Sequence, residues 1–389
     1  MKKNIFGFSL LRVISALAIV IFHTYYLAMS SYGWGTAGYI VSVTLRNAML
    51  FAVPCFVMVS GALLLDPSRE ITYRRLFSRY ILKALLALVI FTFLFTLYDA
   101  LLSSAATGAS AGSSAGPSAA DGFSFVSVLT DTFKNLYIDG SWPHMWYLYL
   151  LLALYLMLPI YRKAAAGMSP NDFRYLLLLL LVFQFLWPLL GKLTGSSTAF
   201  YICTSTVYPF YLFLGYALFK HYLPCTKTLG LCLLLVGTII TCLLTVLGAA
   251  RGITFGASSA SVGTTLLSLV NSYSFPSVIL QGAGMFMLIM APYAVAPDTD
   301  NETPDSSEAP ENGTGFKRLI HSIDSCSFGI YLLHLVPLKF LFYSTSFAPE
   351  VLALPVGLLL LLLIALVDFF LSYLITLMLR KIPGVKRVL

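Results

Sequence analysis

The stretch that decides the fold is residues 8–26, FSLLRVISALAIVIFHTYY, an apolar run long enough to cross a bilayer as a helix. Arg12 and His23 interrupt it, eleven residues apart. At about 100° per residue, this spacing returns to within roughly 20° of the starting direction, so the two share one helix face about 16 Å apart. A charged group inside a span is costly and is expected to face a partner or a wet cavity. The alternative is a snorkelling arginine and a histidine capped by a neighbouring helix.

Composition extends this interpretation to the whole chain. Of 389 residues, 59% are hydrophobic and only 10% are charged, which no soluble domain of ordinary composition matches. About ten apolar stretches satisfy the length criterion for a membrane span. Their approximate limits are 6–29, 44–65, 81–102, 143–161, 174–191, 204–221, 228–249, 276–295, 320–343 and 351–379. We predict an all-α polytopic membrane protein with about ten transmembrane helices.

The basic residues predict its orientation. With a cytoplasmic N-terminus, 18 Lys and Arg residues fall on the inside and four on the outside, the asymmetry expected of a membrane protein. An even number of spans returns the C-terminus to the cytoplasm. The four outer residues are Arg46, Lys134, Lys192 and Arg251. The net charge of +8 therefore reflects loops that set orientation, and no nucleic-acid partner is predicted.

Two loops differ in composition from the single membrane domain that we assign to residues 1–389. Residues 103–122 are a Ser/Ala/Gly tract, which predicts a flexible extracytoplasmic linker. Residues 297–315 carry six acidic residues and no basic one, which predicts a disordered acidic cytoplasmic loop. The six cysteines show no metal-like or paired spacing and are interpreted as small core residues, so no metal site is predicted.

An arginine cluster follows the second span, which ends in FAVPCFVMVSGALLLDP, residues 51–67. The Ser60-Gly61 pair within it lets another backbone or a ligand approach closely. Four arginines come next within eleven residues: Arg69, Arg74, Arg75 and Arg79. Orientation alone requires one or two, and guanidinium forks suit phosphate groups. The alternative is a basic turn that binds lipid headgroups.

Polar side chains also occur near the fourth span, in SWPHMWYLYLLLALYLMLP, residues 141–159. His144 and Trp146 lie at its predicted outer end. An aromatic belt explains the tryptophan, and an interfacial position explains the histidine.

The ninth and tenth spans carry three further polar or ionisable groups. In SIDSCSFGIYLLHLVP, residues 322–337, Tyr331 and His334 are three residues apart and share a helix face. A histidine hydrogen-bonded to a neighbouring helix is the simpler interpretation of His334. Asp368, in the last span, is an isolated intramembrane acid whose partner the sequence does not indicate.

Four of these stretches, in this order, resemble the acyltransferase-3 family of integral membrane O-acyltransferases: Arg-x10-His, FVMVSGALLL with its arginines, HMWYL and FGIYLLH. The resemblance covers nearly the whole chain and fits the standalone type, without an appended hydrolase-like domain. It implies transfer of an acyl group, most often acetyl, from cytoplasmic acyl-CoA to a surface glycan or another acceptor. One departure is SGALLL, where members often have an aromatic residue or leucine after the glycine, which leaves the pocket near Ala62 undefined.

The resemblance also implies roles for individual residues: the matching histidine, His23, is catalytic, and the matching Arg12 serves the acyl donor. Physical chemistry agrees, because a histidine is a suitable base for a hydroxyl, although a covalent acyl-histidine is equally compatible. The expected acyl-CoA-binding residues are Arg12, Arg74, Arg75, Arg79, Ser60 and Gly61. The expected acceptor-side residues are His144, Trp146, Tyr331 and His334.

The expected partners are acyl-CoA, with acetyl-CoA foremost, an extracytoplasmic glycan or small hydroxylated acceptor, and the lipid bilayer of a bacterial plasma membrane. A transporter or flippase of a glycan or lipid precursor is the main alternative, since ten spans and intramembrane charge suit it as well. The sequence shows neither an inverted repeat nor a pair of broken spans in matching halves. A non-catalytic membrane sensor or scaffold is a third interpretation.

Overall fold

The computed structural model describes residues 5–110, 124–138, 140–195, 206–255, 264–294, 315–345, 347–387 and 389. Helices dominate this part of the chain. They are α1 Phe6–Ala28, α2 Ala37–Ala48, α3 Ala52–Leu64, α4 Tyr73–Arg75, α5 Leu82–Ser110, α6 Phe125–Ile138, α7 Trp146–Gly167, α8 Pro170–Leu181, α9 Trp187–Thr194, α10 Tyr208–Phe219, α11 Lys227–Arg251, α12 Leu266–Val270, α13 Pro276–Met290, α14 Gly315–Leu333, α15 Leu335–Lys339 and α16 Leu354–Leu379.

Shorter elements connect or extend these helices. Leu76–Ile81, Val182–Leu186 and Phe340–Ser344 are π-helical, and Ala291–Tyr293, Pro349–Val351 and Val385–Arg387 are 3-10 turns. Two strands, β1 (Thr254–Phe255) and β2 (Thr264–Thr265), pair antiparallel, with Thr254 opposite Thr265.

Side-chain caps explain where several helices begin. The Ser169 hydroxyl accepts from the Asp172 backbone N–H at 3.3 Å, and the Asp172 carboxylate accepts from the Ser169 N–H at 2.8 Å. This capping box satisfies two donors that would otherwise be orphaned at the start of α8. Thr36 and Thr226 cap α2 and α11 in the simpler one-sided way.

Nine helical segments in the described residues are long and apolar enough to cross a membrane. The predicted span 204–221 corresponds to the twelve-residue α10, which is shorter than this criterion and almost wholly buried. The prediction of an all-α polytopic membrane protein is therefore confirmed. The sidedness of its termini stays a prediction.

Two of the nine spans are interrupted, which the sequence did not predict. The second begins at Ala37 and breaks between α2 and α3, and the ninth predicted span breaks at His334, between α14 and α15. The break at His334 is local, because this residue keeps right-handed helical dihedral angles and its N–H donates to the Ile330 carbonyl oxygen. Both breaks lie beside polar side chains of the candidate site described below.

The segment around residue 110 also differs from expectation. Helix α5 continues through residues 103–110 of the predicted linker, while residues 111–122 lie outside the described residues. The acidic stretch 297–314 lies outside them as well, and Gly315 begins α14. The unpredicted α6 buries Val128 and Thr132 and leaves large apolar side chains such as Phe133 exposed, so it packs by one narrow face.

The described chain forms two compact units, one of Met1–Arg69 with Tyr161–Leu377 and one of Glu70–Ile160 with Met378–Leu389. In the first unit, glycines bring helices close together. A Cβ on Gly61 would overlap the Leu212 carbonyl oxygen, and one on Gly215 would overlap that of Met58. Close backbone approach through small residues is typical of membrane helices. The Ser60-Gly61 pair was predicted to let another backbone or a ligand approach closely. At Gly61, the group that approaches is the backbone of α10.

The second unit contains α4 to α6 and α7 as far as Ile160. Its core includes the stacked rings of Phe95 and Trp142, whose centroids are 4.1 Å apart. The Trp142 indole N–H donates to the Asp99 carboxylate at 2.8 Å, which satisfies the polar end of a buried ring.

Candidate active site

The site is built on two neighbouring helices of the first unit, α1 and α14, which run in the same direction. Arg12 of α1 contacts Asp324 of α14, and His23 contacts His334 at the end of α14. The contacts are eleven residues apart on α1 and ten on α14, so they form a parallel ladder. The predicted topology likewise gives the first and ninth spans the same direction. Arg12 and His23 do share a helix face, the face toward α14.

The two histidines form a buried pair. Nε2 of His334 lies 3.1 Å from Nδ1 of His23, and the ring centroids are 5.0 Å apart. Only 8% of His23 and none of His334 is exposed. His334 was predicted on the acceptor side of the site, and the structure places it in direct contact with the predicted catalytic histidine.

Backbone carbonyls fix which ring nitrogens carry protons. Nδ1 of His334 lies 2.7 Å from the Tyr331 carbonyl oxygen, and Nδ1 of His23 lies 3.0 Å from that of Ile19. A carbonyl oxygen only accepts, so both Nδ1 atoms are donors. In the tautomer that satisfies these contacts, the single Nδ1–H of His23 is shared between the Ile19 carbonyl oxygen and Nε2 of His334. In the neutral pair, the nitrogen of His23 that keeps its lone pair is Nε2.

This arrangement has the logic of an activated base. A histidine whose Nδ1–H is held by an acceptor presents a basic Nε2 to a reactant, and the acceptor stabilises the imidazolium that forms. Here the orienting acceptor is a second imidazole instead of a carboxylate. The pair can take a proton from a hydroxyl, or its Nε2 can attack an electrophilic carbonyl.

The other end of the ladder is an ion pair. Arg12 donates from Nε and Nη2 to the two carboxylate oxygens of Asp324, at 2.6 and 2.7 Å. Ser9 donates a third hydrogen bond to Asp324 at 2.8 Å, and its hydroxyl also lies 3.1 Å from Nδ1 of His321. The guanidinium charge is therefore largely compensated inside the protein, which the sequence did not indicate.

An open cavity of about 590 Å³ adjoins this ion pair. It is lined by Arg12, His321, Asp324, Ser325 and Ser327. Hydroxyl, imidazole and guanidinium groups line it together with the Asp324 carboxylate, so it suits a polar ligand.

Arg46 is a functional candidate that the sequence analysis missed. It was assigned to an outer loop, and that assignment is wrong: Arg46 lies in α2, inside the second span, and is only 7% exposed. Its guanidinium carbon lies 4.9 Å from the ring centroid of Phe22 and 5.4 Å from that of Tyr26. Each such cation–π contact is worth about 0.5–2 kcal/mol. The sequence signal for this position is an arginine near the start of the apolar run 44–65, which indicates that the span begins before residue 44.

A polar cluster fixes the end of α2 next to Arg46. The Asn47 amide donates to the Thr245 hydroxyl at 2.9 Å and to the Asn271 side-chain oxygen at 2.6 Å. These bonds tie α2 to α11 and to the turn after α12, so the position of Arg46 is set by three chain segments.

The predicted donor arginines of the second unit are exposed. Arg74 and Arg75 lie in α4, and Arg79 lies in the π-helical turn that follows. Within the described residues, none of the three guanidiniums forms an ion pair. All three are therefore accessible to an anionic group.

The remaining predicted residues have varied surroundings. His144, in the second unit, is 1% exposed and packs 5.5 Å from Phe95 in ring-centroid distance, so it is buried within the protein. Trp146 begins α7 with its ring against Tyr147. Tyr331 contributes its backbone carbonyl to the histidine pair.

Two further observations concern acidic groups and metal ligands. Asp368 of α16 is 3% exposed, and neither of its carboxylate oxygens has a hydrogen-bond partner among the described residues. In the same part of the chain, no group of three or more His, Cys, Asp or Glu side chains could hold a metal ion.

Comparison with known families identifies the chain. The family model Acyl_transf_3, described as an acyltransferase domain, matches residues 5–376. The chain belongs to the acyltransferase-3 family. This match covers nearly the whole sequence, including both histidines and Arg12, so the protein is a multi-pass membrane acyltransferase. No curated protein and no solved structure matches the acyltransferase.

Proposed function

We propose that this acyltransferase moves an acyl group, acetyl foremost, from cytoplasmic acyl-CoA to a hydroxyl of an extracytoplasmic glycan or related acceptor. The observation that carries the proposal is the buried His23–His334 pair, at 3.1 Å, on the same face as Arg12. It supplies an oriented base inside a helix bundle, and general-base catalysis contributes about 10²–10⁴-fold to such a reaction.

In the direct route, Nε2 of His23 takes the proton of the acceptor hydroxyl while the hydroxyl oxygen attacks the thioester carbonyl. The tetrahedral intermediate expels the CoA thiolate as the C–S bond breaks, and the thiolate receives the proton from Nε2. His334 holds Nδ1–H of His23 throughout, so the transient imidazolium is stabilised by an acceptor already in place.

In the covalent route, Nε2 itself attacks the thioester carbonyl and the C–S bond breaks, which gives an acyl-imidazolium that keeps its Nδ1–H and a CoA thiolate. The acceptor hydroxyl then attacks the acyl carbon, the acyl–nitrogen bond breaks to regenerate neutral His23, and the hydroxyl proton passes to the thiolate. The same hydrogen bond to His334 serves both routes, because it orients the ring without using Nε2.

The donor is proposed to enter at the Arg12 end of α1. Along the helix, eleven residues correspond to about 16 Å, which is comparable with a pantetheine arm. The cavity beside Arg12 and Asp324 supports this placement. Separately, in the second unit, Arg74, Arg75 and Arg79 are exposed and stay predicted phosphate ligands, because guanidinium forks suit phosphate oxygens.

A purified preparation with radiolabelled acetyl-CoA tests the proposal. The wild-type protein should release CoA and transfer label to a hydroxyl acceptor or to water. His23→Ala should reduce this rate by about 10²–10⁴-fold while leaving expression and donor binding mostly intact. His221→Asn, in the loop after α10 at φ 56°, is the matched histidine control and should keep the wild-type rate. Wild-type turnover in the His23→Ala protein contradicts the assignment.

A further inference from the structure

Arg46 carries a positive charge in an enclosed part of the first unit. It is 7% exposed and lies in a membrane-spanning segment. Its guanidinium carbon lies over the faces of Phe22 and Tyr26, both on α1. Aromatic faces attract a cation, but they do not accept its N–H donors in the plane of the guanidinium group.

The guanidinium is short of acceptors. Among the described residues, its only hydrogen-bond acceptor is the Met29 sulfur, 3.5 Å from Nη1, and a thioether is a weak acceptor. Nε is shielded from solvent and makes no hydrogen bond in the same part of the chain. No carboxylate there forms an ion pair with Arg46. A buried charge without an opposite charge is strongly unfavourable, so this position requires another reason to hold an arginine.

Arg46 lies on the far side of His23 from the donor end. Phe22 adjoins His23, and Tyr26 and Met29 are three and six residues beyond it. At 1.5 Å per residue, these contacts are about 4.5 and 9 Å further along α1. The ion pair at Arg12 is eleven residues in the opposite direction. The anionic groups of a donor at Arg12 are therefore remote from Arg46.

We propose that Arg46 binds a carboxylate or phosphate oxygen of the acceptor, so that the acceptor class is an acidic compound with a nearby hydroxyl. A planar guanidinium whose Nε and Nη2 make no hydrogen bond to the residues that the structure describes matches two such oxygens. Binding would supply the missing opposite charge, and the neighbouring hydroxyl would reach His23. This inference rests on the proposed function, because it takes His23 as the reacting centre.

Thermal unfolding measures the anion site without requiring acyl transfer. The probes are glucuronate and glucose 6-phosphate, with glucose as the neutral match. At saturating concentration, the acidic probes should raise the Tm of the wild-type and His23→Ala proteins by about 2–5 °C, and glucose should not. Arg46→Met should lose this shift and Arg46→Lys should keep a smaller one. Arg251→Met, which removes an exposed arginine at the end of α11, should keep it fully.

The unliganded variants decide whether Arg46 is merely structural. Since Arg46→Met removes an uncompensated charge, its Tm without probe should equal or exceed that of the wild type. A lower Tm, or failure to fold, means that the arginine stabilises the fold and overturns the proposal. An undiminished shift in Arg46→Lys also overturns it, because an ammonium cannot reproduce the fork.

Acyl transfer gives the second readout. The wild-type rate with an acidic probe should exceed that with glucose by at least about tenfold, a usual scale for one charge-assisted contact, and Arg46→Met should bring the ratio near one. An unchanged ratio with all rates lowered would overturn the proposal, because Arg46 would then serve the transition state and not the acceptor anion. If no probe is acylated by any variant, the proposed function fails, and the thermal shifts still decide whether Arg46 binds anions.

Discussion

Replacing His334 tests the central hydrogen bond of the site. A leucine at this position would have a similar volume but would leave Nδ1–H of His23 with the Ile19 carbonyl oxygen as its remaining acceptor, whereas the side-chain carbonyl of a glutamine can reach the position of Nε2. Losing one buried hydrogen bond costs about 1–3 kcal/mol, and about 1.4 kcal/mol corresponds to tenfold in rate. His334→Leu should therefore lower kcat by about 5- to 150-fold, less than the loss of His23 itself. His334→Gln should stay within about fivefold of the wild type.

The assay is release of CoA from acetyl-CoA by purified protein, with thermal unfolding recorded for each variant. His221→Asn is again the control, because His221 lies outside the site. The hydrogen-bond reasoning is refuted if His334→Leu turns over at the wild-type rate. It is also refuted if the Gln and Leu variants are equally slow while both keep the wild-type Tm.

Three other predictions concern the donor end, helix packing and a buried thiol. Arg12→Ala and Arg75→Ala should raise the KM for acetyl-CoA more than for a phosphate-free acyl thioester, and equal increases would mean that these arginines only set topology. Gly61→Ala should lower the free energy of unfolding by about 1–3 kcal/mol in denaturant titrations, since the added Cβ would overlap a carbonyl oxygen of α10. Gly167 has open space around it, so Gly167→Ala should change the free energy of unfolding little. Burial raises the pKa of the Cys225 thiol to about 11. Because the thiolate is the reactive form, maleimide labelling of Cys225 should be slow at neutral pH and should accelerate as the pH rises. Rapid labelling of Cys225 in the folded protein at neutral pH would contradict this.

The sequence was sufficient to predict the membrane fold and one side of the site. The Arg12–His23 spacing defines a helix face because both residues lie on one continuous helix, whose geometry is regular. Their partners are more than 300 positions away in the chain: Asp324 is 312 residues from Arg12, and His334 is 311 from His23. No local pattern connects such pairs, so the ion pair and the histidine contact required the structure.

Arg46 and the interrupted spans were missed for a related reason. Hydropathy treats residues 44–65 as one apolar run, so it registers neither the break between α2 and α3 nor an arginine inside the span. Counting loop charges then places Arg46 outside. The cost of burying a guanidinium argues against a mid-span arginine unless a ligand or partner compensates it, and the sequence alone shows neither.

The central claim is that His23 connects a cytoplasmic donor with an acceptor on the opposite face of the membrane. Sealed proteoliposomes of known orientation, supplied with acetyl-CoA on one face and a water-soluble acceptor on the other, test it most directly. The account predicts acceptor acylation only when acetyl-CoA is on the face of the Arg12 end and the acceptor is on the other face, and none with His23→Ala. Full-rate reaction with donor and acceptor confined together on the Arg12 face would contradict it.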